Sequence, residues 1–214
     1  MIKNSFMIDL TDGKPTGYSY AGITIEAVHP YTKGFEGPYT PSKPTNAVDD
    51  PELATGSNPY WYGKYHKGPR IGKGGLGDGW CSINNGHILK ITAQKTNDFR
   101  EWTTLWFSNN NILAATNKIG FRAYIKLVKG SVVGIGVDAG YVGEARGQIR
   151  ITKEDCDNSP QGWYYIDEIV DTHQVTLPFY NNFVIGFSKN EDIEAYLALP
   201  YAYIPMGSRP GITN

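Results

Sequence analysis

Hydrophobic and polar positions alternate through most of the second half of the chain. In "FRAYIKLV", Phe121, Ala123, Ile125 and Leu127 fall on one side of an extended backbone, and Arg122, Tyr124, Lys126 and Val128 on the other. A period of two marks a strand with one buried face. From Gly86 onward, "HILKITA", "TTLWFS", "IGFRAYIKLVKG", "SVVGIGVDAG", "RGQIRIT", "GWYYIDEIV", "HQVTLPF", "NFVIGFS" and "IEAYLALPYAYI" succeed one another. Turn residues punctuate them roughly every eight to twelve positions, the spacing of sandwiches and barrels. With no crossover helices between them, the strands are expected to pair antiparallel. "KNEDIEAYLALP" fits two patterns. Asn190 is a good N-cap with Ile193, Tyr196 and Leu197 at helical spacing, but Ile193, Ala195, Leu197 and Leu199 lie at strand spacing.

Two strands are expected within residues 5–28. "SFMIDL" is one. "GYSYAGITIEAV" is the other, with Ile23, Ile25 and Ala27 opposite Thr24 and Glu26. "TDGKPTG" between them is turn chemistry. Regular patterning then stops from His29 to Gly79: seven of the 13 prolines fall between Pro30 and Pro69, and seven of the 25 glycines between Gly63 and Gly79. The dense aromatics there argue against simple disorder. The stretch reads as an ordered loop packed by its own side chains, or as an arm gripping a neighbouring subunit. The expectation is one all-β domain over 1–214. N-terminal strands occupy 1–28 and a long Pro/Gly/aromatic-rich excursion 29–85. An antiparallel jelly-roll β-sandwich spans 86–208, and a polar tail 209–214.

Composition narrows the function classes. The net charge is −1, and the only basic cluster is Lys64, Lys67, Arg70 and Lys73. That is too weak a patch for a nucleic-acid binder. No apolar run approaches membrane-spanning length. "MIKNSFMIDL" lacks the features of a signal peptide, so synthesis in the cytoplasm is expected. The two cysteines, Cys81 and Cys156, form no CxxC motif and read as buried free thiols, with one long-range disulfide as the alternative.

The chemical motifs are mostly incomplete. Gly72, Gly74 and Gly77 satisfy G-x-G-x-x-G, but turn formers stand where the strand and helix of a dinucleotide site belong. His29, His66, His87 and His173 are isolated, without zinc spacing. Asp155, Asp157 and Asn158 resemble an oxygen-rich calcium loop without completing its spacing, so a solvated turn is expected and no cofactor is assigned. Glu101, Asp138, Glu144, Asp167 and Glu168 are the carboxylates that would supply a hydrolytic pair. Asp167 and Glu168 are adjacent and point to opposite faces, so they cannot pair with each other.

The aromatics carry the strongest functional signal. They make up 13% of the chain, with 15 Tyr. Flat aromatic rings pack on the C–H faces of sugars, and Asn84, Asn85, Asn109, Asn110 and Asn111 are polar neighbours able to bond hydroxyls. Trp102, Trp106 and Trp163 are expected to fill the sandwich interior. In "WYYID", Trp163 and Tyr165 share one face and Tyr164 takes the other. Tyr60, Trp61, Tyr62, Tyr65, His66 and Trp80 form the expected ligand-binding or interface set, serving a glycan or a neighbouring chain.

The C-terminal stretch "GWYYIDEIVDTHQVTLPFYNNFVIGFSKNEDIEAYLALPYAYIPMGSRP" resembles the last strands of carbohydrate-binding-type jelly-roll modules in bacteriophage tail fibres, tailspikes and baseplate-associated proteins. The resemblance covers about residues 86–208 and transfers no ligand residues. It implies a non-enzymatic virion structural protein that binds host cell-surface glycan or adapts neighbouring subunits. The implied partners are other copies of itself and other virion proteins. The alternatives are a glycan hydrolase or lyase on the same sandwich, using two carboxylates or a cluster such as Tyr65, His66 and Arg70, and a purely interacting component clasped through residues 29–85.

Overall fold

A computed structural model of the chain describes residues 2, 4–5, 7–28, 45–48, 53, 55, 57–58, 87–98, 103–108, 118–138, 145–146, 149–159, 162–171 and 182–206. The alternating segments form strands. A two-residue hairpin, β1 (Leu10–Thr11) and β2 (Lys14–Pro15), opens the chain. Its turn places both Asp12 and Gly13 at positive φ, 51° and 74°. That is the Asp-Gly chemistry of a type I′ turn, whose twist matches the strands it joins.

Among the described residues, two five-stranded antiparallel sheets follow. The first runs β10 (Tyr164–Asp171), β7 (Lys118–Lys129), β12 (Ile193–Tyr203), β5 (Ile88–Ala93), β4 (Thr24–Val28). The second runs β3 (Tyr18–Ala21), β6 (Thr104–Ser108), β11 (Asn182–Phe187), β8 (Val132–Asp138), β9 (Ala145–Arg146). The antiparallel sandwich expected from the spacing is therefore present, and among the described residues a single short helix, α1 (Lys153–Asp157), lies against β7.

"GYSYAGITIEAV" is not one strand. It divides at Gly22, which has φ +65°, so that β3 joins the second sheet and β4 the first. A glycine tolerates that left-handed backbone without a Cβ penalty. "KNEDIEAYLALP" resolves as strand: β12 pairs with β5 on one side and β7 on the other, and a central position in a sheet overrides local helical spacing.

The inward alternating set meets between the sheets. Phe121, Ala123, Ile125 and Leu127 of β7 join Ile25, Ile91, Leu105, Phe107, Phe183 and Ile185 in one core. Aromatic rings bridge the layers. Phe121 stacks on Phe183 at 4.3 Å with planes 8° apart, Phe107 lies 5.8 Å from Phe121, and Tyr18 meets Phe107 edge-on at 5.1 Å.

Two tryptophan expectations need correction. Leu105 and Phe107 both point inward, so Trp106 between them faces outward and is half-buried. Trp163 is buried, but in a second apolar cluster with Val28, Ile88, Tyr196, Ala198 and Leu199, away from the space between the sheets. Its alternation with Tyr164 and Tyr165 holds: Tyr164 packs on the main core and Tyr165 is exposed. Trp102 lies outside the described residues.

The expected turn at Asp155 is a short helix. Asp155 accepts from the Thr152 amide and hydroxyl, each at 2.7 Å, and its own amide donates to the Thr152 hydroxyl. This is a reciprocal cap, and these bonds hold the Asp155 carboxyl below its usual range. Asp157 pairs with Lys153. The helix seats Cys156, a free thiol, in the core, where burial pushes its pKa up and keeps it unreactive. Cys81 lies outside the described residues.

His87 is buried beside the N-terminal segment, its Nδ1 2.7 Å from the Met7 carbonyl. A carbonyl only accepts, so Nδ1 carries the proton. Burial lowers the pKa of His87, against the opposing pull of that bond. A depressed histidine stabilises the fold fully above its unfolded value of about 6.5, and that contribution is lost as pH falls towards the folded value. Urea denaturation should therefore show stability decreasing from pH 7.5 to pH 5.5. Replacing His87 with Gln should flatten that dependence, and an unchanged pH slope in the variant would place its origin elsewhere.

Candidate functional site

The outward residues of the first sheet form the candidate site. Register fixes which side chains meet. Tyr124 lies opposite Tyr165, Arg122 sits between Asp167 on β10 and Tyr201 on β12, and Gly120 sits between Ile169 and Tyr203. The platform is thus three rungs deep and spans three strands. Tyr165, Arg122, Asp167, Ile169 and Tyr201 are exposed, and Tyr124 and Tyr203 half-buried.

A bulge in β12 aims the two C-terminal tyrosines outward. Up to Ala198 the strand alternates regularly, with Leu197 inward and Ala198 outward. The register then shifts between Ala198 and Tyr201, where Leu199 adopts φ +53° before Pro200. One extra residue reverses the parity of the rest of the strand. Ala202 enters the core, and Tyr201 and Tyr203 share the outer face with Arg122. Proline is tolerated in a strand at such an irregularity.

The side chains hold one another in place. Arg122 Nε donates to Asp167 Oδ1 at 3.0 Å, and the Tyr203 hydroxyl donates to the same oxygen at 2.9 Å. The Arg122 guanidinium carbon lies 4.5 Å from the Tyr203 ring centroid. The hydrogen bond from Arg122 is the main reason the Asp167 carboxyl sits below its ordinary range. Partial burial, and then the bond to Asp167, push the Tyr203 hydroxyl up. Tyr201 and Tyr203 are near-parallel, with centroids 6.2 Å and planes 13° apart. Tyr124 and Tyr165 approach to 4.8 Å, and Tyr124 also leans on the second apolar cluster. The result is a strip of tyrosine faces with a charge-balanced Arg–Asp pair at its centre.

None of these platform residues belongs to the set expected from the sequence. Tyr60, Trp61, Tyr62, Tyr65, His66 and Trp80 lie outside the described residues, as do His29, His173, Glu101, Glu144 and the glycines at 72, 74 and 77. Among the carboxylates proposed for hydrolysis, Asp167 is engaged by Arg122 and Tyr203, and Glu168 faces away from it, as alternation requires. Among the described residues no cluster of three or more His, Cys, Asp or Glu is placed to hold a metal ion. A sequence signal for the platform did exist. Arg122 and Tyr124 fall on the polar side of β7, Tyr165 on the outer side of β10, and "PYAY" begins with a proline that interrupts a strand.

No protein-family model and no curated protein matches this sequence. Among solved structures, a point variant of a family 29 carbohydrate binding module aligns at 13% identity over 92% of this chain and 89% of that one, with a TM-score of 0.40. A variant of the same module complexed with mannohexaose aligns at 12% identity over 92% and 87%, TM-score 0.40. A carbohydrate-binding module specific for non-crystalline cellulose aligns at 16% identity over 60% and 77%, TM-score 0.38.

Proposed function

We propose that the chain is a non-enzymatic glycan-binding β-sandwich whose sugar rests on the outer face of the first sheet. The observation that carries this reading is the near-parallel pair Tyr201 and Tyr203 beside the Arg122–Asp167 pair. A pyranose ring needs flat apolar surface under its C–H face and hydrogen-bonding groups at its rim. Tyrosine supplies both with only two side-chain torsions to freeze. The charges at the centre neutralise each other, which favours a neutral glycan over a polyanion. With Asp167 committed to Arg122 and Tyr203, the platform offers a place to bind rather than a carboxylate pair to hydrolyse. A virion setting, with copies of itself and other virion proteins as partners and host surface glycan as ligand, is carried by the sequence resemblance alone.

Affinity electrophoresis in gels containing glucomannan, mixed-linkage β-glucan, xylan or alginate tests the reading. Retardation by at least one neutral polysaccharide, without release of reducing ends, is the expected result. No retardation by these or by host surface polysaccharide would end the glycan reading. New reducing ends would turn it towards the hydrolase or lyase alternative. One observation favours the adaptor role instead: Ile169, on the platform's third rung, is 56% exposed, an apolar side chain suited to a protein contact.

A further inference from the structure

We infer that Gly120 is the positioning residue of the platform: by lacking a side chain it lets the Tyr203 ring lie flat across β7. This rests on the glycan reading of that face. A Cβ built on Gly120 would meet Tyr203 Cζ at 2.1 Å, Cε1 at 2.4 Å and Cε2 at 2.5 Å. Three distal ring carbons at nearly equal distances mean that a ring face, not an edge, occupies the space of the missing Cβ. Tyr203 stands directly opposite Gly120 in register, so its side chain crosses β7 and its hydroxyl reaches Asp167 on β10. Neighbouring strands lie about 4.8 Å apart, so only a ring laid down on the sheet makes that crossing.

Gly120 has no need of glycine for its backbone, because its φ is not positive. Alanine suits an ordinary strand position, and glycine there weakens a strand. Yet the three nearest obstacles all belong to the far end of Tyr203. The glycine is explained by the ring above it. Adding a methyl group displaces the tyrosine rather than the strand. The ring then lifts, the bond to Asp167 breaks, and Tyr203 no longer lies parallel to Tyr201.

The test compares Gly120→Ala, Tyr203→Ala and the double variant in the full chain. Affinity electrophoresis against the neutral polysaccharides named above reads binding. Carbon-13 NMR of protein labelled at tyrosine Cζ, with Tyr203 assigned by its loss in Tyr203→Phe, reads the ring. Gly120→Ala is expected to melt within a few degrees of the parent, bind at least tenfold more weakly, and shift the Tyr203 Cζ resonance and its titration. The double variant should bind no worse than Tyr203→Ala. Parental binding by Gly120→Ala, additive losses in the double variant, or an unmoved Tyr203 resonance would each overturn the inference. If the parent binds no glycan but the resonance shifts, the seat stands and the glycan reading falls.

Discussion

Replacing Phe121 with alanine is expected to cost about 3–5 kcal/mol, the range for deleting a buried aromatic ring. Phe121 is fully buried on β7, between Gly120 and Arg122 of the platform. Its ring stacks on Phe183 of the opposite sheet and contacts Phe107 beside it. Truncation removes the ring's transfer free energy and leaves a void that two flanking strands cannot close without losing register. The stacked geometry adds about 0.5–1.5 kcal/mol beyond burial. Against a typical total of about 5–15 kcal/mol, the variant should be marginal at 37 °C. Urea denaturation of both proteins, with unchanged m-values, measures the loss. A difference under about 1 kcal/mol would mean that the two sheets do not meet at this ring.

The second large effect is on binding. Tyr201→Ala should weaken affinity for any retarding polysaccharide by about tenfold or more, equivalent to at least about 1.4 kcal/mol. Tyr201 is 41% exposed, and truncating an exposed residue away from core or cap changes stability by only about 0.5 kcal/mol. Lost binding with an unchanged melting temperature would therefore be loss of contact surface, not of fold. Trp106→Ala is the decisive comparison. Trp106 faces outward from the other sheet, so its removal should leave binding intact. A reversed pattern, with Trp106 essential and Tyr201 dispensable, would move the site to the opposite side of the sandwich.

The strands were legible because their signal is local. Every inward residue assigned from "FRAYIKLV" is buried, and Ile25 and Ala27 of β4 are buried as alternation requires. Alternation reports burial but not which sheet a strand joins, which is why the break at Gly22 was hidden. The tryptophans misled for a related reason. Bulk favours the interior, yet in "LWF" the phase set by Leu105 and Phe107 leaves Trp106 no inward position. The platform was harder still. Its members come from three strands separated by as many as 83 positions, Gly120 to Tyr203, and meet only through register. Periodicity also misses an irregularity: read straight through from Leu197, period two would send Tyr201 and Tyr203 inward.

The bulge at Leu199–Pro200 makes the outer face a property of the local backbone path as well as of composition. Removing Pro200 would leave Leu199 inward and Tyr201 outward by plain alternation, whereas keeping every residue and ironing out the bulge would turn Tyr201 and Tyr203 toward the interior and Ala202 toward solvent. A lineage could thus silence this surface by losing one backbone irregularity, without substituting an aromatic.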